Sequence, residues 1–122
     1  MKENTVETKS KKFAIRIIRL YQFLTEDKKE YVMSKQVLRA GTSVGANVRE
    51  AVQGFSRNDF VYKMSLALKE CSETRYWLEL LYETDYLSDA QYESVYNDAV
   101  ELFSLLTAIV KNTRENSYTK TE

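Results

Sequence analysis

The sequence predicts an all-α protein, a single up-down-up-down antiparallel four-helix bundle, and three observations carry that prediction. Pro is absent and Gly occurs only at Gly41, Gly45 and Gly54 in 122 residues, so few positions oppose helix. Apolar residues recur at helical spacing in four separated stretches. The connections between those stretches are short, which makes consecutive helices antiparallel neighbours. At this length the whole chain, 1–122, is one domain, and its 43% apolar content closes a modest core.

The first helix is expected over roughly 6–25, where Phe13, Ile17, Leu20 and Leu24 lie on one face. Ala14, Ile18 and Tyr21 widen that stripe to the breadth of a helix packed against two others, and the charged stretch 25–30 ends it. A second helix is expected over roughly 35–53, with Ser34 as its N-cap, Val37, Ala40, Val44, Val48 and Ala51 inward, and Gly54 as its C-cap. Gly41 and Gly45, four residues apart on this helix, would let another helix approach closely; no Gly-Lys-Ser/Thr element follows a strand, so tight packing explains them better than phosphate binding.

Ser56 caps a third and longest helix over roughly 57–84, with Asp59 near its positive end and Phe60, Met64, Ala67, Leu68, Cys71, Leu78 and Tyr82 inward. Ser88-Asp89-Ala90-Gln91 fits a capping box, in which the Ser and Gln side chains satisfy free backbone donors reciprocally. A fourth helix therefore covers roughly 89–113, its stripe running through Tyr92, Val95, Tyr96, Ala99, Leu102, Phe103, Leu106, Ile109 and Val110. The polar tail 114–122 is expected to be disordered.

Lys and Arg balance Asp and Glu, 18 against 18, so global electrostatics do not favour nucleic acid. The distribution is uneven: residues 1–20 carry six bases against two acids, while 85–101 hold five acids and no base. Cys71 has no partner for an internal disulfide and sits among apolar neighbours, as a small core residue would. The hydrophilic residues 1–12 and the shortness of the longest apolar-rich run, 102–110, argue against a membrane span, so the protein is expected in the cytoplasm.

Several polar residues are not explained by core packing. Arg39, Ser43 and Glu50 fall in one sector of the second helix, with Asn47 at its border, and Leu66, Glu70, Glu73 and Trp77 form a sector beside the main stripe of the third. A Leu and a Trp there would be exposed in a monomer, and large apolar groups mixed with ionisable ones are what a helical subunit interface shows. The ordinary alternative has Trp77 lying over the bundle edge and Arg39 in an exposed pair. An enzyme reading needs the same residues, as a carboxylate metal site built from Glu50, Glu70 and Glu73. Bundle di-iron sites pair Glu-x-x-His elements, and this chain has no His, so no catalytic residue, metal or cofactor is expected.

Lys9, Lys12, Arg16 and Arg19 form a basic ridge at the start of the first helix, where positive charge opposes the helix dipole. Contact with RNA phosphates would favour it; pairing with the acidic fourth helix or plain solvation are the alternatives. The nine tyrosines lie largely on core stripes and define no stacking platform.

The segments 38–51 and 67–78 resemble a bacterial four-helix-bundle family named for open reading frames in intervening sequences of large-subunit ribosomal RNA genes. Its pattern appears here as Arg39, Ser43, Gly45-Ala46-Asn47 and Glu50-Ala51, then Ser56-Arg57, Phe60, Ala67-Leu68-Lys69-Glu70, Glu73-Thr74 and Tyr76-Trp77-Leu78. Ala40 stands where that pattern has Ser. The resemblance implies a ring-shaped homopentamer with no established catalytic activity. A related branch serves as the accessory protein of diversity-generating retroelements, where a basic pentamer surface engages reverse transcriptase and RNA. The function expected is thus that of a non-enzymatic oligomeric scaffold with RNA or a reverse-transcriptase-like protein as partner, the alternative being the carboxylate metal enzyme.

Overall fold

A computed structural model describes residues 5–121, with side chains through residue 115. Four helices follow one another, α1 (Thr5–Glu26), α2 (Met33–Val52), α3 (Arg57–Glu83) and α4 (Asp89–Thr121), and no strand occurs among the described residues. Each helix packs on its chain neighbours and α4 returns to α1, which closes the bundle. Lys2 and Glu3 of the basic start lie outside the described residues, as does Glu122.

The helix ends show which local signals the chain uses. Ser56 Oγ accepts from the Asp59 backbone N–H at 3.0 Å, and Ser88 and Gln91 form the reciprocal capping box, with Ser88 N to Gln91 Oε1 at 2.9 Å and Gln91 N to Ser88 Oγ at 3.2 Å. The start of α2 differs from expectation. Ser34 is inside the helix, donating to the Glu30 carbonyl at 2.8 Å, and the cap is the Glu30 carboxylate, which accepts from the backbone N–H groups of Val32, Met33 and Ser34 at 3.2, 2.9 and 2.7 Å. A Glu reaches back from before the helix, so one buried anion satisfies three donors at the positive end of the dipole.

Two other ends depart from the sequence reading. Gln53, not Gly54, is the C-cap of α2, and no glycine has positive φ. At the other end of the chain, α4 runs past the expected stop near 113 through the segment expected to be disordered, because residues 114–121 contain neither Gly nor Pro to break it.

Gly41 and Gly45 set the spacing of α1 and α2. A Cβ at Gly41 would lie 2.7 Å from Ile17 Cγ1, and one at Gly45 would lie 3.2 Å from the backbone oxygen of Ser10. Missing side chains therefore bring α1 onto α2, as the sequence predicts. The core runs between the helices through Phe13, Ile17, Val44, Val48, Met64, Cys71, Leu78, Leu102 and Leu106, all of them buried. Thr74 is buried within it and returns its hydroxyl proton to the Glu70 carbonyl at 2.7 Å.

Two substitutions test these ends and contacts. Gly41→Ala should destabilise by about 1–3 kcal/mol through overpacking against Ile17, and Ile17→Ala in the same chain should recover part of the crowding term. Glu30→Ala should cost about 1–3 kcal/mol, because it strands the buried Ser34 N–H and uncaps Val32 and Met33. Both are read from urea unfolding curves by circular dichroism.

Candidate functional site

The flank between α2 and α3 brings together the residues that the core left unexplained. Arg39 on α2 reaches across to α3, where its guanidinium bonds Glu70 Oε1 at 3.2 Å and the Glu73 carboxylate. Trp77, one turn beyond Glu73, donates its indole N–H to the same carboxylate at 3.0 Å. Glu73 thus links a cation and an aromatic residue. Arg39 is half-exposed, so within one protomer this network adds little to stability.

The rest of that predicted set divides. Asn47 donates to the Ser43 carbonyl at 2.9 Å, a contact within α2, and Ser43 is half-buried. Glu50 leaves the cluster and pairs with Lys63 at 2.6 Å, which raises the Lys63 pKa through that hydrogen bond. Of the three glutamates of the metal reading, Glu70 and Glu73 share Arg39 while Glu50 is held by Lys63, and the described residues contain no group of His, Cys, Asp and Glu able to hold a metal ion. Leu66 and Trp77 are half-buried and not exposed as expected, because Trp77 lies against the core edge.

Beyond the predicted sector, α3 shows a second apolar row. Tyr62, Leu66, Tyr76 and Leu80, with Lys69 and Glu73 between them, follow alternating spacings of four and three along the face opposite Cys71. Tyr62 and Tyr76 are 61% and 54% exposed, too open for core residues of this size. Tyr76 also meets Trp77 edge-on, with ring centroids 5.5 Å apart. Leu66 is the one member of this row that the sequence reading singled out; Tyr62 and Tyr76 lie on none of the core stripes.

Half of the basic ridge is engaged by the acidic fourth helix. Lys9 pairs with Glu101 at 2.7 Å, and Arg16 pairs with Asp98 at 2.7 Å and donates to the Ser94 hydroxyl at 2.9 Å. Lys12 and Arg19 are exposed and make no ion pair among the described residues.

A feature that the sequence reading missed lies on the α3–α4 seam. Tyr82, Tyr92 and Tyr96 stack in a column, with centroids 4.2 and 4.8 Å apart, and the Arg75 guanidinium covers Phe103 at 4.7 Å. The Tyr96 hydroxyl donates to Glu79 and accepts from Arg75 at 3.3 Å; Tyr82 donates to Asp89 at 2.6 Å. The column's rings face one another, so it ties two helices together and offers no free stacking platform. Burial, together with its phenolic neighbour, pushes the Tyr92 pKa up to about 12. The repeat of Tyr92 and Tyr96 four residues apart was its only sequence signal.

With this geometry in view, comparison with known sequences is decisive. The sequence model of the 23S rRNA-intervening sequence protein family matches residues 2–108. The chain belongs to that family. In this member the Arg39–Glu73–Trp77 network joins α2 to α3. A solved structure, a protein of unknown function from the S23 ribosomal protein family of Bacteroides thetaiotaomicron, is 57% identical to this chain. The likeness covers 87% of this chain and 98% of that one, with a TM-score of 0.85. No curated protein matches the sequence. No helix among the described residues is long and apolar enough to cross a membrane.

Cys71 provides a check on the core that frames this site. It is fully buried beside the Ala99 carbonyl, and burial pushes its thiol up from 9.0 to about 12. In native buffer at pH 8 the thiol should be silent to a disulfide reagent and react fully in denaturant. Because the folded form holds this proton more tightly, the contribution to stability is complete below pH 9 and is lost as pH rises towards 12.

Proposed function

We propose that this protein is a non-enzymatic scaffold that assembles with copies of itself in the cytoplasm, as the homopentamer that the family resemblance implies. The observation that supports the reading is that α3 is apolar on two sides. One side fills the bundle core, and the other, with Tyr62, Leu66, Tyr76 and Leu80 at coiled-coil spacing, leaves the two tyrosines 61% and 54% exposed. Arg39, Glu70, Glu73 and Trp77 border it, and Trp and Arg are the side chains on which interfaces most often depend. Exclusion of water there would strengthen the Arg39 pairs well beyond their worth at a protomer surface.

RNA, or a protein that processes it, is the proposed partner of the assembly. Exposed Lys12 and Arg19 support that part, and symmetry would multiply them around a ring. The support rests on these two cations, since Lys9 and Arg16 are already neutralised by α4.

Native mass spectrometry of protein purified without nuclease reads both parts at once. A pentamer is expected, and bound RNA in the same spectrum would assign the partner; a monomer would sink the scaffold reading. Tyr76→Glu should lower the oligomer mass while leaving the helical circular dichroism unchanged. Arg39→Ala should cost the protomer less than about 1 kcal/mol and weaken assembly by more than that.

A further inference from the structure

The outward row of α3 has a counterpart on α1, the helix diagonally across the bundle. Ile15 and Ile18 are 43% and 41% exposed, and with Lys11 and Gln22 they follow spacings of four, three and four, the rhythm of the α3 row. Among the described residues α1 packs on α2 and α4 but not on α3, so the two rows do not meet within one protomer. They stand at one height. Asp98 of α4 holds Arg16 at 2.7 Å, and the next residue, Ala99, accepts from the Cys71 thiol at 3.5 Å, which sets Ile15 and Ile18 level with Lys69 to Tyr76. Both rows also turn towards α2. Glu7, three turns before Ile18 on the same side of α1, pairs with Arg49 of α2 at 2.9 Å, while Lys9 and Arg16 on the other side serve α4. On α3, Glu73 of the row bonds Arg39 of α2, while Arg75 and Glu79 serve Tyr96 of α4.

We infer that the α3 row of one copy packs, head to tail, on the Ile15–Ile18 row of α1 in the next copy. The inference rests on the self-assembly proposed above and names the second surface that it needs. Alternate helices of an up-down bundle run parallel, so a rotation about an axis along the bundle, with no shift, brings two level rows together. Two faces that both turn towards α2 meet at less than a straight angle, which closes a ring where directly opposed faces would build a filament. On the inner side of that ring α2 presents the small Thr42 and Ala46, which leave room for neighbours to converge. Charge excludes the simpler pairing of α1 with its own copy, since Lys11, Lys12 and Arg19 would face one another. Against α3 they meet Glu70 and Glu73, two carboxylates that share one arginine. Arg39 bonds Oε1 of Glu70, and on Glu73 it takes the same Oε2 as Trp77, so each carboxylate keeps an oxygen for a second cation. Lys69, exposed on the α3 row, has the length to reach past the contact into water.

Two measurements on the full chain test this. Ile18 is exposed, so Ile18→Glu should keep the helical circular dichroism and lower the oligomer mass as Tyr76→Glu does, although the two residues lie on different helices. Thiol cross-linking with a short bismaleimide then separates two faces from one. Cys71 is buried, so Ile18→Cys and Tyr76→Cys each supply a single reactive thiol. Neither variant should cross-link by itself, an equimolar mixture refolded together should give a covalent dimer holding one of each, and a chain with both substitutions should give a ladder of higher products. A monomeric unaltered chain would overturn the scaffold reading and this inference together. With an oligomeric unaltered chain, an unchanged mass for Ile18→Glu or the absence of the mixed dimer would overturn this inference alone. Cross-linking of Tyr76→Cys by itself would give the α3 row to a two-fold contact with its own copy, and overturns the inference as well.

Discussion

The close approach of α1 to α2 at Gly41 and Gly45 is the constraint around which the bundle is arranged. With no Cβ at either position, Ile17 and the backbone at Ser10 move into space that any other residue would occupy. That contact draws α1 towards α2, and on its other side α1 meets α4 least of all the neighbouring pairs. The two seams differ in kind as a result. One is backbone-close at two glycines, and the other is spanned by the Lys9–Glu101 and Arg16–Asp98 pairs over partly open floor. Lys9 and Arg16 of the basic ridge are reconciled by Glu101 and Asp98 of α4.

The α3 helix has the opposite character, since it is needed on every side. It gives one face to the core, one flank to Arg39 of α2 and the other to the tyrosine column of α4, and it still keeps an apolar row for solvent. Two of its glutamates serve as links: Glu73 holds Arg39 and Trp77, and Glu79 holds Tyr96.

Helix existence and most of the inward faces were legible from spacing alone, because a 3.6-residue repeat marks the buried side whatever the neighbours are. The Ser56 cap and the Ser88–Gln91 box were legible for the same local reason: donor and acceptor are three residues apart. Glu30 was not, although its partners are also near in sequence. A Glu before a helix has no fixed geometry until the turn is folded, and Ser34 offered a more familiar cap in the wrong register. Similarly, Trp77 and Leu66 stood out as surplus apolar residues, but their degree of burial depended on where α2 lies beside α3.

By itself the sequence determined the number of helices, the faces they bury, the close packing at Gly41 and Gly45, and the family to which the chain belongs. Tertiary structure decided which charges are spent and which remain: Lys9 and Arg16 against α4, Glu50 against Lys63, Arg39 against Glu70 and Glu73, with Lys12 and Arg19 left open. It also decided that three tyrosines from two helices would stack. The reason is physical. Periodicity is a property of one helix, whereas ion pairs, ring stacks and grooves depend on the rotation and separation of two, and those are set by packing across the whole bundle.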